Sequence, residues 1–195
     1  MTPIIRLLVV LALLGSGPRV LAEPQTFTID EDHLSIVFLV DHIGYQRQFG
    51  QFLEAGGSFV YDPEANRLSS GEVILSADSL FTNHDRRDRH LRNEDFLNVD
   101  EYPEIRFVVT DHHAGEGNRH QVNGELSLLG QTRPVSLDVT LNKAADYPFG
   151  HGEYTLGLSA RTTIRRSDWG MDYGVSNALV GDEVELWFEL EAIAE

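Results

Sequence analysis

The chain has 195 residues, 31 of them acidic against 15 basic, for a formal net charge of −16, and it contains no Cys. That balance repels phosphate backbones and argues against a nucleic-acid partner. The missing Cys excludes disulfide staples, a thiol nucleophile and the lipidated Cys that tethers some exported proteins to a membrane. The basic side is peculiar, with 14 Arg and the single Lys143, a choice that favours planar, bidentate pairing over point charge.

Residues 1–22 open with the Met1 amine and Arg6, continue with the apolar run Leu7 to Leu14, break at Gly/Ser/Pro and end on Val20-Leu21-Ala22. This is the pattern of an export signal cleaved after Ala22. The apolar run is too short to span a bilayer, and no later segment approaches the roughly 20 apolar residues of a spanning helix. Cleavage leaves 173 residues with 13 basic against 31 acidic groups, a net charge of −18. A segment of that size, residues 23–195, suits one domain able to bury its own core.

In chain order the pattern predicts strands at Thr26–Asp30, Leu34–His42, Phe49–Tyr61, Arg67–Asp78, Glu104–Asp111, Gln121–Leu129, Arg133–Asn142, Glu153–Ile164 and Glu183–Ile193. The first two can also be read as one bent strand. Turn signals separate them at Asp62-Pro63, Gly115 to Asn118, Gly130, Pro148 to Gly152 and Gly181-Asp182. Alternation is cleanest where Val135, Leu137, Val139 and Leu141 interleave with polar residues, and where Val184, Leu186, Phe188 and Leu190 do the same. Each such strand has one dry and one wet face.

Long strands joined by short turns favour an all-β fold, a single antiparallel up-and-down barrel of about eight strands. Strand parity then turns Phe38, Val40, Leu75, Phe107, Val109, Leu126, Leu128, Leu137, Val139, Leu158, Leu186 and Phe188 toward an apolar pore. Several inward positions are small, among them Val73, Ala77, Val122, Gly124, Val135 and Ala160, which leaves room for a cavity.

Between the fourth and fifth predicted strands lies the charged stretch Thr82 to Asp95, TNHDRRDRHLRNED. It predicts a short helix near residues 84–95, capped by Asn83 or Asp85 and barred from continuing by Pro103. Pairs at i,i+4, Asp85 with Arg89 and Asp88 with Arg92, have the favourable order. Phe96 and Leu97 would pin the helix against the barrel, where it can serve as a lid.

Eight His invite a metal reading, yet His84 and His90 lie six apart and face different sides of a helix. Asp111, His112 and His113, with His120 across a turn, form only a loose zinc candidate, and the expectation is no metal. No nucleophile elbow or defined carboxylate pair marks a catalytic site. Arg47, Arg87, Arg89, His90 and Arg92 are candidates for an anionic or polar head group, as is Trp169 by position, although an aromatic there also suits a packing anchor.

Further segments carry a resemblance: His42-Ile43-Gly44-Tyr45 followed by Phe49-Gly50-Gln51-Phe52; Thr82-Asn83-His84 with Arg87-Asp88 and His90-Leu91-Arg92; Asp95-Phe96 with Tyr102-Pro103 and Phe107. Val122 and Gly124-Glu125-Leu126 with Gly130, Thr132 and Pro134-Val135, then Arg165 to Gly170, and Val184 after Gly181-Asp182, continue it. In order and spacing these pieces resemble the YceI family of exported polyisoprenoid-binding proteins, with Trp169 standing where an aromatic, usually Phe, is common.

The resemblance implies a lipocalin-like barrel whose pore holds a long isoprenoid, a polyprenyl chain or a quinone, as ligand, with no further cofactor and no secure enzymatic activity. The expectation is therefore a periplasmic protein that carries or stores such a lipid, in transient contact with inner-membrane quinone or cytochrome proteins. The alternative is a quinone-linked redox accessory or enzyme using His42, His84 or His90 near the barrel mouth.

Overall fold

The computed structural model describes residues 23–195; the export segment 1–22 lies outside the described residues. Ten strands and one helix follow in order: β1 (Gln25–His42), β2 (Gln46–Phe52), β3 (Ala55–Asp62), β4 (Arg67–Ser76), β5 (Leu80–Phe81), α1 (Asp85–Arg92), β6 (Glu104–Ala114), β7 (Arg119–Leu128), β8 (Gln131–Asp146), β9 (Tyr154–Arg165) and β10 (Val180–Ala194). Every pairing is antiparallel, and β10 returns to β1 from Phe27 to His42, so the sheet closes on itself.

Two of the expected strands prove to be broken. The predicted Phe49–Tyr61 divides at Leu53-Glu54 into β2 and β3, which pair with the two halves of β1. The cause is a register mismatch: residues 29–35 of β1 lie opposite residues 53–57 between the pairs Thr28–Ser58 and Ile36–Phe52. The chain crosses there on Gly57, with φ of +155° and no room for a Cβ beside the Glu72 carbonyl. Likewise the predicted Arg67–Asp78 ends at Ser76, and after a 3-10 turn the path resumes as β5 beside β2. Counted as paths around the wall, β2 with β3 and β4 with β5 are single staves, and the barrel has eight. The first two predicted strands are one, β1, bent at 30–33.

The interior divides along the axis. One end is plugged by Phe27, Tyr61, Leu156 and Ala192, with Phe59 and Tyr154 packed against them. Phe27 is fully buried, stacked on Phe59 at 5.7 Å and edge-on to Tyr61 at 6.4 Å between centroids, the offset and edge geometries aromatic rings prefer. The larger cluster, from Ile36 and Phe38 to Phe96, Leu97 and Trp169, surrounds the other part of the barrel.

Near the plug, His120 points inward and is 8 % exposed. His112 Nδ1 accepts the Leu68 amide at 3.3 Å, so its proton resides on Nε2, which donates to His120 Nδ1 at 3.0 Å. Burial depresses both imidazoles; His113 and His120 also disfavour charge on His112, and Asp111 favours it. A base held neutral in the folded state binds fewer protons there than in the unfolded chain, so its contribution to stability is lost as pH falls below the ordinary imidazole value. Chemical denaturation at pH 7 and pH 5 is expected to show a larger loss for the native sequence than for a His112→Gln/His120→Gln double variant; equal losses would contradict this. The comparison cancels His33, whose imidazole is raised by Asp30 and acts in the opposite direction.

Candidate functional site

Away from the plug, the barrel encloses a cavity of about 490 Å³, within the roughly 300–1,000 Å³ of small-ligand pockets. Its wall comes from the inward face of almost every stave, including Ile36, Phe38, Leu75, Ile105, Phe107, Leu126, Leu137, Ala160, Leu186 and Phe188. The polar lining sits mostly at one end, where Asp41, His42 and Gln48 from the β1–β2 hairpin meet Arg87 and His90 of α1 and Tyr173 of the β9–β10 connection. Asp41, His42 and Tyr173 are exposed, and this end is the mouth.

Of the twelve pore residues read from parity, Phe38, Val40, Leu75, Phe107, Leu126, Leu128, Leu137, Leu186 and Phe188 line the cavity. Val109 and Val139 face the same interior but pack into the surrounding core rather than the lining. Leu158 lies lower still, against the aromatic plug. Parity gives the face of a strand and not what lies in front of it: Leu158 sits at the plug, and Val109 and Val139 are packed into the larger cluster. Gly124, a position that suggested free space, provides none, because the Phe107 ring lies where its Cβ would be, with Cζ 2.3 Å from that point.

α1 is shorter than expected and is built differently. Its N-cap is His84, whose Nδ1 accepts the Arg87 amide at 3.3 Å, in place of Asn83 or Asp85. It ends at Arg92, well before Pro103, because the chain must turn there to deliver Phe96 and Leu97 into the core. Among the described residues neither i,i+4 ion pair forms. Asp88 is 5 % exposed and turns away from Arg92 to accept the Thr82 amide at 3.0 Å and the Thr82 hydroxyl. Arg92 instead pairs with the Asp78 carboxylate at 3.0 Å and donates to the Asp78 and Leu80 carbonyls. Tertiary partners displace the weak surface pairs an isolated helix would use. Asp88→Ala strands the buried Thr82 donors and is expected to cost about 1–3 kcal/mol in urea denaturation; a loss under ~0.5 kcal/mol would contradict that role.

The head-group candidates separate. Arg87 and His90 line the mouth. Arg87 is oriented by donating Nε–H to the Thr82 hydroxyl at 2.7 Å and Nη2–H to the Thr82 carbonyl at 2.7 Å. His90 stands edge-on to Phe96 and Tyr173, both at 5.1 Å, with Nε2 3.0 Å from Asp95. Arg47 lies on the outer face, paired with Glu185 at 2.5 Å, and Arg89 is exposed on the solvent side of α1. Arg92 is occupied as described. Trp169 is 3 % exposed and anchors the wall, donating Nε1–H to the Leu126 carbonyl at 3.1 Å, and does not reach the cavity.

Among the lining residues that sequence reasoning missed, which include Ile36, Asp41, Gln48, Ile105 and Tyr173, the most consequential is Arg166. It is 2 % exposed and lines the cavity. Nε donates to the Gly181 carbonyl at 2.7 Å, Nη1 to Met171 at 2.8 Å, and Nη2 to Tyr173 at 2.8 Å and Val180 at 3.0 Å. Burial lowers its pKa, with Asp182 and Asp172 opposing the shift. A signal was present: the inward series Ala160, Thr162, Ile164 places residue 166 on the same face.

Comparison with known proteins places these features in a family. The YceI-like domain model matches residues 27–192. The chain belongs to the YceI-like family. A UPF0312 protein of Pectobacterium carotovorum subsp. carotovorum is 32% identical to this YceI-like chain over 96% of it and 95% of the relative. Among solved structures, Burkholderia cenocepacia BcnA aligns with TM-score 0.74 at 20% identity, covering 84% of this chain and 98% of BcnA. A domain from Saccharophagus degradans, described as polyisoprenoid binding and implicated in plant cell wall breakdown, aligns with TM-score 0.62 at 14% identity over 88% of this chain and 99% of that domain. Both structural likenesses concern the barrel fold.

Proposed function

We propose that this YceI-like protein binds a long isoprenoid lipid, a polyprenyl chain or a quinone, with the tail in the cavity and the polar end at the mouth, and carries or stores it in the periplasm without altering it chemically. The observation that carries this reading is the segregation of the cavity: an apolar wall over most of its depth, an aromatic floor, and Asp41, His42, Gln48, Arg87 and His90 gathered at the entrance. A tail that loses on the order of 500 Å² of water contact gains roughly 12 kcal/mol before the losses of association. No matching hydrogen bond is needed along its length, so selection would be by length and girth. Family membership and the polyisoprenoid-binding neighbour support the same class of ligand.

The test is native mass spectrometry and organic extraction of the protein purified from cells that make prenyl lipids. A prenyl lipid in stoichiometric amount is the expected result. A protein that is empty when isolated and takes up no added prenyl quinone would overturn the reading. A second reading, a quinone-linked redox accessory, draws on His42 and His90 at the mouth, where a quinone ring would lie; His84 is taken up in capping α1. It requires quinone turnover that falls in His42→Ala or His90→Ala, and unchanged turnover in both removes it.

A further inference from the structure

On the outside of the closed end, the register of β1 against β10 has an unusual step. Ile29 pairs with Ala192 and Leu34 with Leu190, so the four residues Asp30 to His33 arch over Glu191 alone. An excursion of this kind re-aims side chains. Here it draws Asp30 and His33 from one end of the chain to Glu191 at the other, and one donor atom from each lies within 4.8 Å of the other two.

The arch is internally braced. Asp30 Oδ1 accepts the Asp32 amide at 3.1 Å, which turns Oδ2 toward His33 Nδ1 at 2.7 Å. Glu191 Oε2 is 3.9 Å from the same nitrogen. Tyr147 and Glu191 line the same surface recess beside the arch. His151 stacks on Tyr147 at 4.6 Å, but its Nδ1 is committed to the Glu153 amide at 3.0 Å, which leaves its proton on Nε2 and removes it from the donor set.

We propose that Asp30, His33 and Glu191 form a binding site for a divalent cation of the zinc class. Two carboxylates and a neutral imidazole balance the charge of such an ion and match its borderline preference for nitrogen and oxygen. Around a tetrahedral ion at about 2.0–2.1 Å from each ligand, neighbouring donors lie about 3.3 Å apart, between the two spacings of 2.7 and 3.9 Å found about His33. Changes of about 0.6 Å in the two spacings about His33, with Asp30 and Glu191 drawn together from within 4.8 Å, complete the site. His33 is 54% exposed in its side chain, so water has access to the remaining coordination position. The other His groups are less suited: among the described residues His113 meets only Asp111, and His112 and His120 have no third donor within reach. A bound ion would tie the first strand to the last across the barrel seam.

Isothermal titration of the purified protein, carrying no histidine tag, with zinc chloride tests this. One equivalent is expected to bind at micromolar zinc and to raise the thermal midpoint. His33→Ala and Glu191→Gln are each expected to weaken binding at least about tenfold and to abolish the thermal shift, while His113→Ala leaves both unchanged. No saturable uptake below millimolar zinc, binding to His33→Ala and Glu191→Gln equal to that of the native sequence, or loss of binding in His113→Ala would each overturn the proposal. The result is independent of the lipid, since these side chains lie on the outer face.

Discussion

Ala160→Phe is expected to reduce bound prenyl lipid at least about tenfold, a change of ~1.4 kcal/mol or more, while leaving the barrel folded. Ala160 lies midway along β9, 7% exposed and lining the cavity, with Val139 and Phe188 as its Cα partners on either side. A ring added there enters existing empty space rather than a packed core, so the steric penalty of overpacking, typically about 1–3 kcal/mol, should fall at its low end. The ring would narrow the tube at the level of Phe188 and Leu137, where a tail must pass. Quantitative extraction reports the lipid, and urea denaturation with circular dichroism reports the fold. Full lipid occupancy in a folded Ala160→Phe protein would show that the tail does not run through this cavity.

Arg166→Leu is expected to cost about 4 kcal/mol of stability. Four carbonyls, of Met171, Tyr173, Val180 and Gly181, converge on one guanidinium. Leucine removes every donor and leaves acceptors buried without partners, each costing about 1–3 kcal/mol with strong non-additivity. The 3-10 turn Arg166–Trp169 and the chain from Met171 to Val180 would lose the post around which they wrap. Since Tyr173, Leu179 and Val180 line the cavity, lipid affinity should fall as well. Lys at this position keeps the charge but has one nitrogen to span four acceptors, so Arg166→Lys should recover only part of the stability. Urea denaturation distinguishes these outcomes; an Arg166→Leu midpoint equal to that of the native sequence would assign the guanidinium no structural role.

The first effect rests on a small inward residue that the strand pattern already marks; the second needs the convergence of four distant carbonyls. Arg165 and Arg166 are neighbours in the sequence, yet the first bonds Asp182 at 3.1 Å on the outside and the second is a buried post. Similarly, Asp88 reads as half of a surface ion pair and proves to be a buried acceptor that fixes the entry to α1.

Alternation of apolar and polar residues is a local property, and for that reason the strands, their dry face and the closed antiparallel barrel could be read directly from the residues. The dense run of Arg, His and Asp before Phe96-Leu97 announced the helix in the same way, and short segments spread from His42 to Val184 announced the family. Depth, register and convergence belong to the tertiary structure. Which inward residues line the cavity and which plug it depends on how strands distant in sequence slide past one another, so Leu158 falls at the floor while Leu186 falls on the wall. Whether a small residue leaves space depends on its neighbour's side chain, as Phe107 over Gly124 shows. The meeting of Asp30 and His33 with Glu191 needs the barrel closed, because only the pairing of β1 with β10 brings the two ends of the chain together.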